Sequence, residues 1–581
     1  MLKKVNLGLF LILHLLLLNM DNYQIADLFS LLSKLMDIHG ENNFKAKSYA
    51  SVAFNIEKLP LQLSEIPKEK ISEIKGIGES SAKKIIGILE TGSLHVLQEM
   101  IEKTPEGVIE MLNIKGIGPK KISTIWKEME IENIGELLYA CKENRLKLYK
   151  GFGEKTQQNI IDTIEYYLSS RGSYLYPQVE TVEPQITAYL EKLFLPQNVF
   201  ITGSFKRQLE IIDELEYVVN IANEIIKPKF KTANPPELLE ENTDNLVYKL
   251  LNGLKLRLHT GANSPEKKLF TTKGSPEFVN AFLTQFPNID FTGCFATDDK
   301  EIFTRANINY IPACLRESAE IIDRARISPL PELIQPEDIK GIIHSHSNWS
   351  DGNNTLEEMA KAAKDEGFEY LVISDHSKSA FYAQGLHEEK IKAQHQLIDE
   401  LNNKLNGFKI FKSIESDILY DGGLDYSNNI LSTFDLVIAS VHSILKMTEE
   451  KAMQRLITAI ENPYTTILGH ITGRLLLSRK GYPVDHKKII DACAANQVVI
   501  ELNANPSRLD IDWRFINYAL EKNVLISIDP DAHSIEGFKD NRYGVLAAQK
   551  AMVTKAQNLS SLGLAEFESF IQNRKYVKGL R

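Results

Sequence analysis

Six histidines and three carboxylates stand at the ends of successive β-rich runs in the C-terminal part of the chain. They are His344, His346 and Asp351 after IKGIIHSH, His376 after EYLVISDH, Glu415 in KIFKSIES, His442 after DLVIASVH, His470 after TTILGH, and Asp531 with His533 in VLISIDPDAH. The chain has 13 histidines in all, and packing alone does not account for six of them at such positions. Each buried imidazole or carboxylate needs a partner or costs several kcal/mol of desolvation. A shared cation site meets that cost. Imidazole with carboxylate and no thiolate suits Zn, Mn or Fe rather than calcium, and nine candidates exceed what one tetrahedral ion accepts, so two or three divalent metal ions are expected. Such a cluster activates water and clamps the attacking and leaving oxygens of an in-line displacement, the apparatus of phosphoester hydrolysis. Glu415 and His376 are the candidate catalytic members. Asp375 and Asp417 are read as partners that hold a liganding imidazole or a neighbouring loop. Arg474, in GHITGR, has the bidentate geometry to hold a phosphate, with a barrel-rim ion pair as the alternative. For the whole set the plainer alternative is a hydrogen-bonded network without an ion.

Positioning these residues takes seven strands, the six runs above with VVIELNAN, most followed by a helical stretch. That alternation predicts a closed βα barrel, whose chemistry sits at the carboxyl ends of its strands. Pro329, Pro331 and Pro336 mark a linker before it, and the mixed runs NVFITGS, LEYVVNI and LKLRLHT predict an α+β region upstream. From Met20 to about Arg171 the apolar spacing of Ile25, Leu28, Leu31, Leu32 and Leu35 predicts an all-helical region. Within it EIKGIGESSAKKII, NIKGIGPKKISTIW and LYKGFGEKTQQNII repeat a Lys-Gly-apolar-Gly turn leading into a helix. Two glycines permit a tight turn whose backbone N–H groups face a phosphate at a helix N-terminus, which is a helix-hairpin-helix signature. Contacts of this kind read the DNA backbone and not the bases. Gly76 and Gly78, then Gly116 and Gly118 with Lys115, Lys120 and Lys121, are the candidate DNA-binding residues, and the third copy (Gly151, Gly153) is read as the weaker one.

At 581 residues the chain is too long for one ordinary core. Hydrophobic residues at 43% and charged residues at 25% exclude a disordered, collagen-like or polytopic membrane protein. Four cysteines without a CxxC pair exclude a disulfide framework and a zinc finger and fit a reducing cytoplasm. A formal charge of -10 means that any nucleic-acid contact uses local basic patches. Residues 1–19 carry Lys3 and Lys4 before LGLFLILHLLLL, shorter than a membrane helix requires. A start placed too far upstream, a secretory or anchor segment, and a core helix are its three readings; the expectation is a cytoplasmic monomer without a membrane partner.

HSHSNWSDG, SDH, IESDILYDGG, ASVHS, GHITGR and DPDAHS resemble the motifs of the polymerase and histidinol phosphatase (PHP) domain, a distorted seven-stranded barrel with a trinuclear metal site. The resemblance implies that His344, His346, Glu415 and Asp531 share one metal, Asp351, His376 and His470 a second, and Glu415, His442 and His533 a third. The order of parts resembles bacterial family X DNA polymerases over nearly all of the chain after Met20. It implies a multidomain fold: an apolar extension at 1–19, a helical DNA-binding domain at 20–100, a helical fingers-like domain at 101–172, an α+β palm and thumb at 173–318, a linker at 319–337 and a distorted (βα)7 PHP barrel at 338–581. It also implies a Schiff-base lyase lysine, which falls on Lys84.

The palm departs from the family pattern. Gly203, Ser204 and Arg207 match its nucleotide-binding turn, but the paired aspartates are replaced by Glu214 and Glu216 and the third by Lys255. The thumb run TKGSPEFVN also departs. Magnesium demands near-ideal octahedral geometry, so nucleotide addition is expected to be weak or lost. The resulting expectation is a DNA-repair phosphodiesterase, a 3′-5′ exonuclease with a possible abasic-site activity, acting on gapped or nicked duplex. The alternatives are a gap-filling polymerase with lyase activity, a small-molecule phosphatase and a catalytically silent DNA scaffold.

Overall fold

The computed structural model describes residues 20–580 except 60, 115, 170–171, 231–234, 262–263 and 295–298. The apolar extension and Lys115 therefore lie outside the described residues. By its contacts the chain divides into two units, one running to Cys141 and resuming over Tyr149–Ile164, the other made of Lys142–Leu148 and Glu165–Arg581.

The first unit is helical. Helix α1 (Asn22–His39) starts at a reciprocal cap in which Asp21 accepts from the Gln24 N–H while Gln24 accepts from the Asp21 N–H, and it stops at Gly40 with φ 72°. It buries Ile25, Phe29, Leu32, Leu35 and Met36, whereas Leu28 and Leu31 stay half-exposed at the edge of the stripe. Helix α2 (Asn43–Glu57) pairs with it. Three further helices, α3 (Glu79–Thr91), α4 (Pro119–Lys127) and α5 (Glu154–Ser169), each follow a Gly-apolar-Gly turn. Ser123 Oγ and Lys127 Nζ on α4 donate to the carbonyls of Ile38 and His39, tying the second hairpin to the end of α1.

The second unit begins with a small antiparallel pair, β1 (Tyr174–Leu175) with β3 (Ile211–Ile212). A five-stranded sheet follows in the order β2 (Val199–Thr202), β4 (Glu214–Val219), β7 (Lys255–His259), β6 (Asn245–Lys249), β5 (Glu237–Asn242). Beyond it an aromatic core of Phe270, Phe278, Phe282 and Phe303 surrounds the buried Arg316, whose guanidinium is held bidentately by Asp299 at 2.6 and 2.7 Å. The helix Glu320–Ile327 buries Ile321, Ile322 and Ala325 in this same core. Residues 320–327, expected within the linker, thus form a helix whose apolar face packs into this core.

Seven parallel strands close the chain: β8 (Gly341–Ser345), β9 (Tyr370–Ile373), β10 (Lys409–Asp417), β11 (Leu436–Ser440), β12 (Thr465–Leu468), β13 (Val499–Asn503) and β14 (Ile526–Asp529). They pair in chain order, and β14 returns toward β8 through the Ser345–Ala532 bridge, with the His346 N–H donating to the Ala532 carbonyl at 2.8 Å. The result is the nearly closed barrel that the motif spacing predicts. Both faces of the strands are apolar and buried, as parallel sheets require. Ile342, Leu371 and Ile373 pack with helical residues such as Leu356, Met359 and Ile398. Ile343, Val372, Ile438 and Ile467 join Phe567 of the helix Leu564–Val577, which stacks on Tyr370 with ring centroids 4.4 Å apart. Each such side chain contributes about 1.5–3 kcal/mol when fully buried. That stabilisation offsets the polar residues which the strand ends force inward.

Candidate metal centre

Six of the seven barrel strands deliver the nine candidate ligands at or just beyond their carboxyl ends, and β13 delivers none. His344 and Asp531 hold positive φ, 59° and 53°, on either side of the closing bridge. That conformation costs about 1–3 kcal/mol in a non-glycine residue, and here it aims two side chains from the barrel seam at a common point.

Glu415 is the hub. Its Oε1 lies 3.3 Å from His344 Nε2, 3.1 Å from His442 Nε2 and 3.0 Å from His470 Nε2, and its Oε2 lies 3.0 Å from His376 Nδ1 and 3.7 Å from His346 Nε2. Asp531 Oδ1 stands 3.3 Å from His344 Nε2 and 3.1 Å from His346 Nε2. Asp351 faces His376 Nε2 and His533 Nε2, each at 3.5 Å. Three sets of ligand atoms are close enough to share an ion: His346, Asp351, His376 and His533; His344, His346 and Asp531; His376, Glu415 and His442.

In the structure His533 lies within reach of Asp351 and His376, at the seam where β14 returns toward β8, and His470 Nε2 lies 3.0 Å from Glu415 Oε1.

The surroundings aim these groups. His344 Nδ1 is bonded to Glu501, whose other oxygen accepts the His470 N–H at 2.5 Å. His442 Nδ1 is bonded to Asp417, itself held by Ser379 Oγ at 2.7 Å. Asn503 Nδ2 donates to Asp531 at 3.0 Å. Asp375 accepts from the Ser347 N–H, Ser347 Oγ, Ser350 Oγ and Gln394 Nε2 at 2.6–2.8 Å, which fixes the loop that carries Asp351. Asp375 and Asp417 thus stand where partner residues are expected. Glu501, Asn503, Ser347 and Glu143 are partners that the motifs do not single out. The signal for Glu501 lay in VVIELNAN, the one run that supplies none of the nine candidates.

The electrostatics call for cations. Burial pushes the Glu415 carboxyl up, but the charges of His442, His344 and His376 outweigh it and hold the group well below the usual carboxylate range. Burial likewise opposes ionisation of Asp531, and His344 and the His346 hydrogen bond overcome it. His442 is pulled down by burial and pushed up further, to about 9, by Glu415 and Asp417. His346, buried beside His533 and His376, is lowered to about 3. Several atoms that face the centre make no hydrogen bond although buried: His344 Nε2, Asp351 Oδ2, His376 Nδ1, Glu415 Oε2 and His533 Nε2. Unpaired buried polar atoms cost about 1–3 kcal/mol each. A converging set of imidazole and carboxylate atoms with open lone pairs fits divalent ions, with the opposite ring nitrogens of His344 and His442 held by carboxylates in the manner of metal-bound histidines.

The Arg474 guanidinium binds Asp512 at 2.6 Å and the carbonyls of Arg508 and Leu509, the contacts of a rim ion pair.

The palm residues occupy a turn and two neighbouring strands. Gly203 has φ 69° and lies so close to Glu216 that a Cβ there would meet its carboxyl at 2.0 Å, and Glu216 accepts from the Ser204 N–H at 3.3 Å. Arg207 is paired with Glu317 at 3.1 Å. Glu214 is held by Arg257 at 2.5 Å and Glu216 by His259 at 2.9 Å. The register places Lys255 beside Glu214 and Arg257 beside Glu216. One face of β7 thus presents Lys255, Arg257 and His259 to the carboxylates of β4.

In the hairpins Gly76, Gly116 and Gly151 have φ of 88°, 94° and 94°, and Ile77, Ile117 and Phe152 bury between each pair of glycines. The glycine caps of α3 and α4, Gly78 and Gly118, offer no side-chain hydrogen bond to the helix N-terminus. Its N–H groups are left for water or a ligand. The third turn repeats the geometry of the first two, and Lys121 Nζ lies 5.4 Å from the Phe152 ring, so it ranks as a full member of the array. Lys120 is exposed and Lys121 half-buried beside these turns. Lys84 Nζ rests on its own helix, 3.2 Å from Ser80 Oγ.

Family models match along the chain: a helix-hairpin-helix domain at residues 20–94, a SAM-like helix-hairpin-helix tandem at 108–165 and a PHP domain at 343–505. The DNA polymerase/3′-5′ exonuclease PolX of Bacillus subtilis (strain 168) is 28% identical over 572 residues, 95% of this chain and 100% of the relative. A probable phosphatase of Acetivibrio thermocellus is 32% identical over 171 residues, 28% of this chain and 66% of that protein. A probable phosphatase of Thermoanaerobacter sp. (strain X514) is 29% identical over 209 residues, 34% of this chain and 80% of that protein. Among the described residues no helix is long and apolar enough to cross a membrane.

Proposed function

Given that this chain is a homologue of a family X DNA polymerase/3′-5′ exonuclease along 95% of its length, with helix-hairpin-helix domains ahead of a C-terminal PHP domain, we propose that it is a DNA-repair phosphodiesterase. In this reading it shortens DNA from the 3′ end at the PHP site, and its palm adds nucleotides weakly or not at all. The observation that carries the reading is the convergence of Glu415 with eight further imidazoles and carboxylates, all buried except the half-buried His442, with open lone pairs facing inward.

His344, His346 and Asp531, with Glu415 as bridge, would hold one divalent ion; His346, Asp351, His376 and His533 surround a second position; Glu415, His376, His442 and His470 surround a third. Ions bound there supply Lewis-acid activation of water and of the phosphate. The protein orients the imidazoles through Glu501 and Asp417 and keeps the centre dry beneath the strand ends. The hairpins grip the DNA backbone without regard to sequence, which suits a gapped or nicked duplex. In the palm, Arg257 pairs with Glu214 and His259 is hydrogen-bonded to Glu216, so the carboxylates that would hold magnesium are already engaged, and Glu216 occupies the turn that would take a triphosphate.

The likeness of the barrel to probable phosphatases supports a second reading, hydrolysis of a small phosphomonoester. One experiment separates these readings. Purified protein with Mn²⁺ is given a gapped, 3′-labelled duplex with and without dNTPs, alongside His344→Ala and Glu415→Ala variants. Shortening that vanishes in both variants supports the exonuclease. Primer extension overturns the reading of the palm, and release of phosphate from small monoesters with intact DNA favours the phosphatase.

A further inference from the structure

Residues 142–148 leave the helical unit between its second and third hairpins, and by their contacts they belong to the unit that holds the barrel. They dock at the metal centre itself. Glu143 Oε1 lies 3.5 Å from His533 Nδ1, on the ring edge opposite the one that faces Asp351. Lys147 Nζ donates to Asn353 Oδ1 at 3.0 Å, two residues after Asp351, and Leu146 is fully buried. Arg145 lies over the Tyr382 ring at 4.2 Å, and Tyr382 sets its edge toward the ligand His376 with ring centroids 6.3 Å apart.

A phosphodiester needs a cation beside the ions. The centre is rich in carboxylates; Arg474 is committed to Asp512, and Arg508 lies buried 3.8 Å from Asp531 Oδ2. Arg145, by contrast, has its Nε buried without a hydrogen-bond partner. A guanidinium in that state, stacked on an aromatic ring beside an anion-processing centre, is prepared for bidentate contact with phosphate oxygens.

We propose that the segment 142–148 is a wall of the PHP site and that Arg145 binds the phosphate of the substrate. Glu143 and Lys147 are the docking contacts that hold Arg145 in place within the unit that carries the barrel. This rests on the phosphoester reading given above.

The test uses full-length, Mn²⁺-loaded protein and its Arg145→Ala and Arg145→Lys variants, with melting temperature and metal content checked to be unchanged. Binding of inorganic phosphate is read by calorimetry, and KM is read for a 3′-labelled oligonucleotide and for bis(4-nitrophenyl) phosphate. Arg145→Ala is expected to weaken phosphate binding and raise both KM values at least about tenfold, with partial recovery in Arg145→Lys, because one charge-assisted hydrogen bond amounts to about 1.5–3 kcal/mol. Phosphate affinity and KM within twofold of wild type overturn the proposal while leaving the exonuclease reading in place. Arg145-dependent phosphate binding in a protein that leaves DNA intact supports the anchor and overturns the exonuclease reading instead.

Discussion

Glu501 shows how much of the centre depends on residues that touch no ion. It holds His344 Nδ1 with one oxygen and the His470 N–H with the other, so it sets the direction of two ligands at once. Glu501→Gln keeps the shape and removes the charge. The expected outcome is a loss of metal affinity of about 10–100-fold with the fold intact, measured by competition with a chromophoric chelator. A second residue-scale effect lies far from the centre. His395 sits edge-on to Phe434 at 4.9 Å, and burial, with Lys412 nearby, lowers its pKa to about 4 from 6.5. The unfolded chain therefore binds more protons between those values, so the stability this residue confers is complete above pH 6.5 and drains away as pH falls toward 4. His395→Phe should flatten the decline of the urea midpoint between pH 7 and pH 5; an unchanged slope contradicts the assignment.

At the scale of elements, the candidates were legible in sequence because a parallel barrel delivers the residue after each strand to one place, and eight of the nine fall in groups of atoms close enough to share an ion. Which of them lie closest together was not legible. That depends on how β14 closes onto β8, and closure is a property of register that the motifs do not contain. Arg474 was ambiguous for a related reason: the motif gives a guanidinium at the rim, and only folding brings Asp512 to it. The third hairpin was read as the weaker copy, yet the turn needs only a buried apolar residue between two glycines, and Phe152 serves. Gly116 tests the hairpin element. Its φ of 94° is strained for any side chain, and a Cβ there meets nothing within 4 Å, so Gly116→Ala disturbs the turn without a clash. Affinity should fall about tenfold for every DNA sequence alike, as read by fluorescence anisotropy, since the lost contacts are to phosphate. A loss confined to certain sequences contradicts a backbone-reading role.

For the whole molecule, one chain joins hairpins suited to DNA, a sheet whose two glutamates are engaged by the neighbouring strand, and a barrel whose candidate ligands converge. The departure of Glu214, Glu216 and Lys255 from the family pattern was legible in sequence, but the pairing of both glutamates with Arg257 and His259 required the strand register. On the proposed reading, nucleotide addition needs changes on both strands; Lys255→Asp alone should leave dNTP incorporation undetectable, because Arg257 and His259 still hold the two glutamates. The central claim is that several ions are held around Glu415, and elemental analysis tests it most directly. After loading with Mn²⁺ or Zn²⁺ and extensive dialysis, the full-length protein should retain about two or three ions per chain and Glu415→Gln markedly fewer. Less than one ion per chain in the wild type, or equal occupancy in the variant, would contradict it.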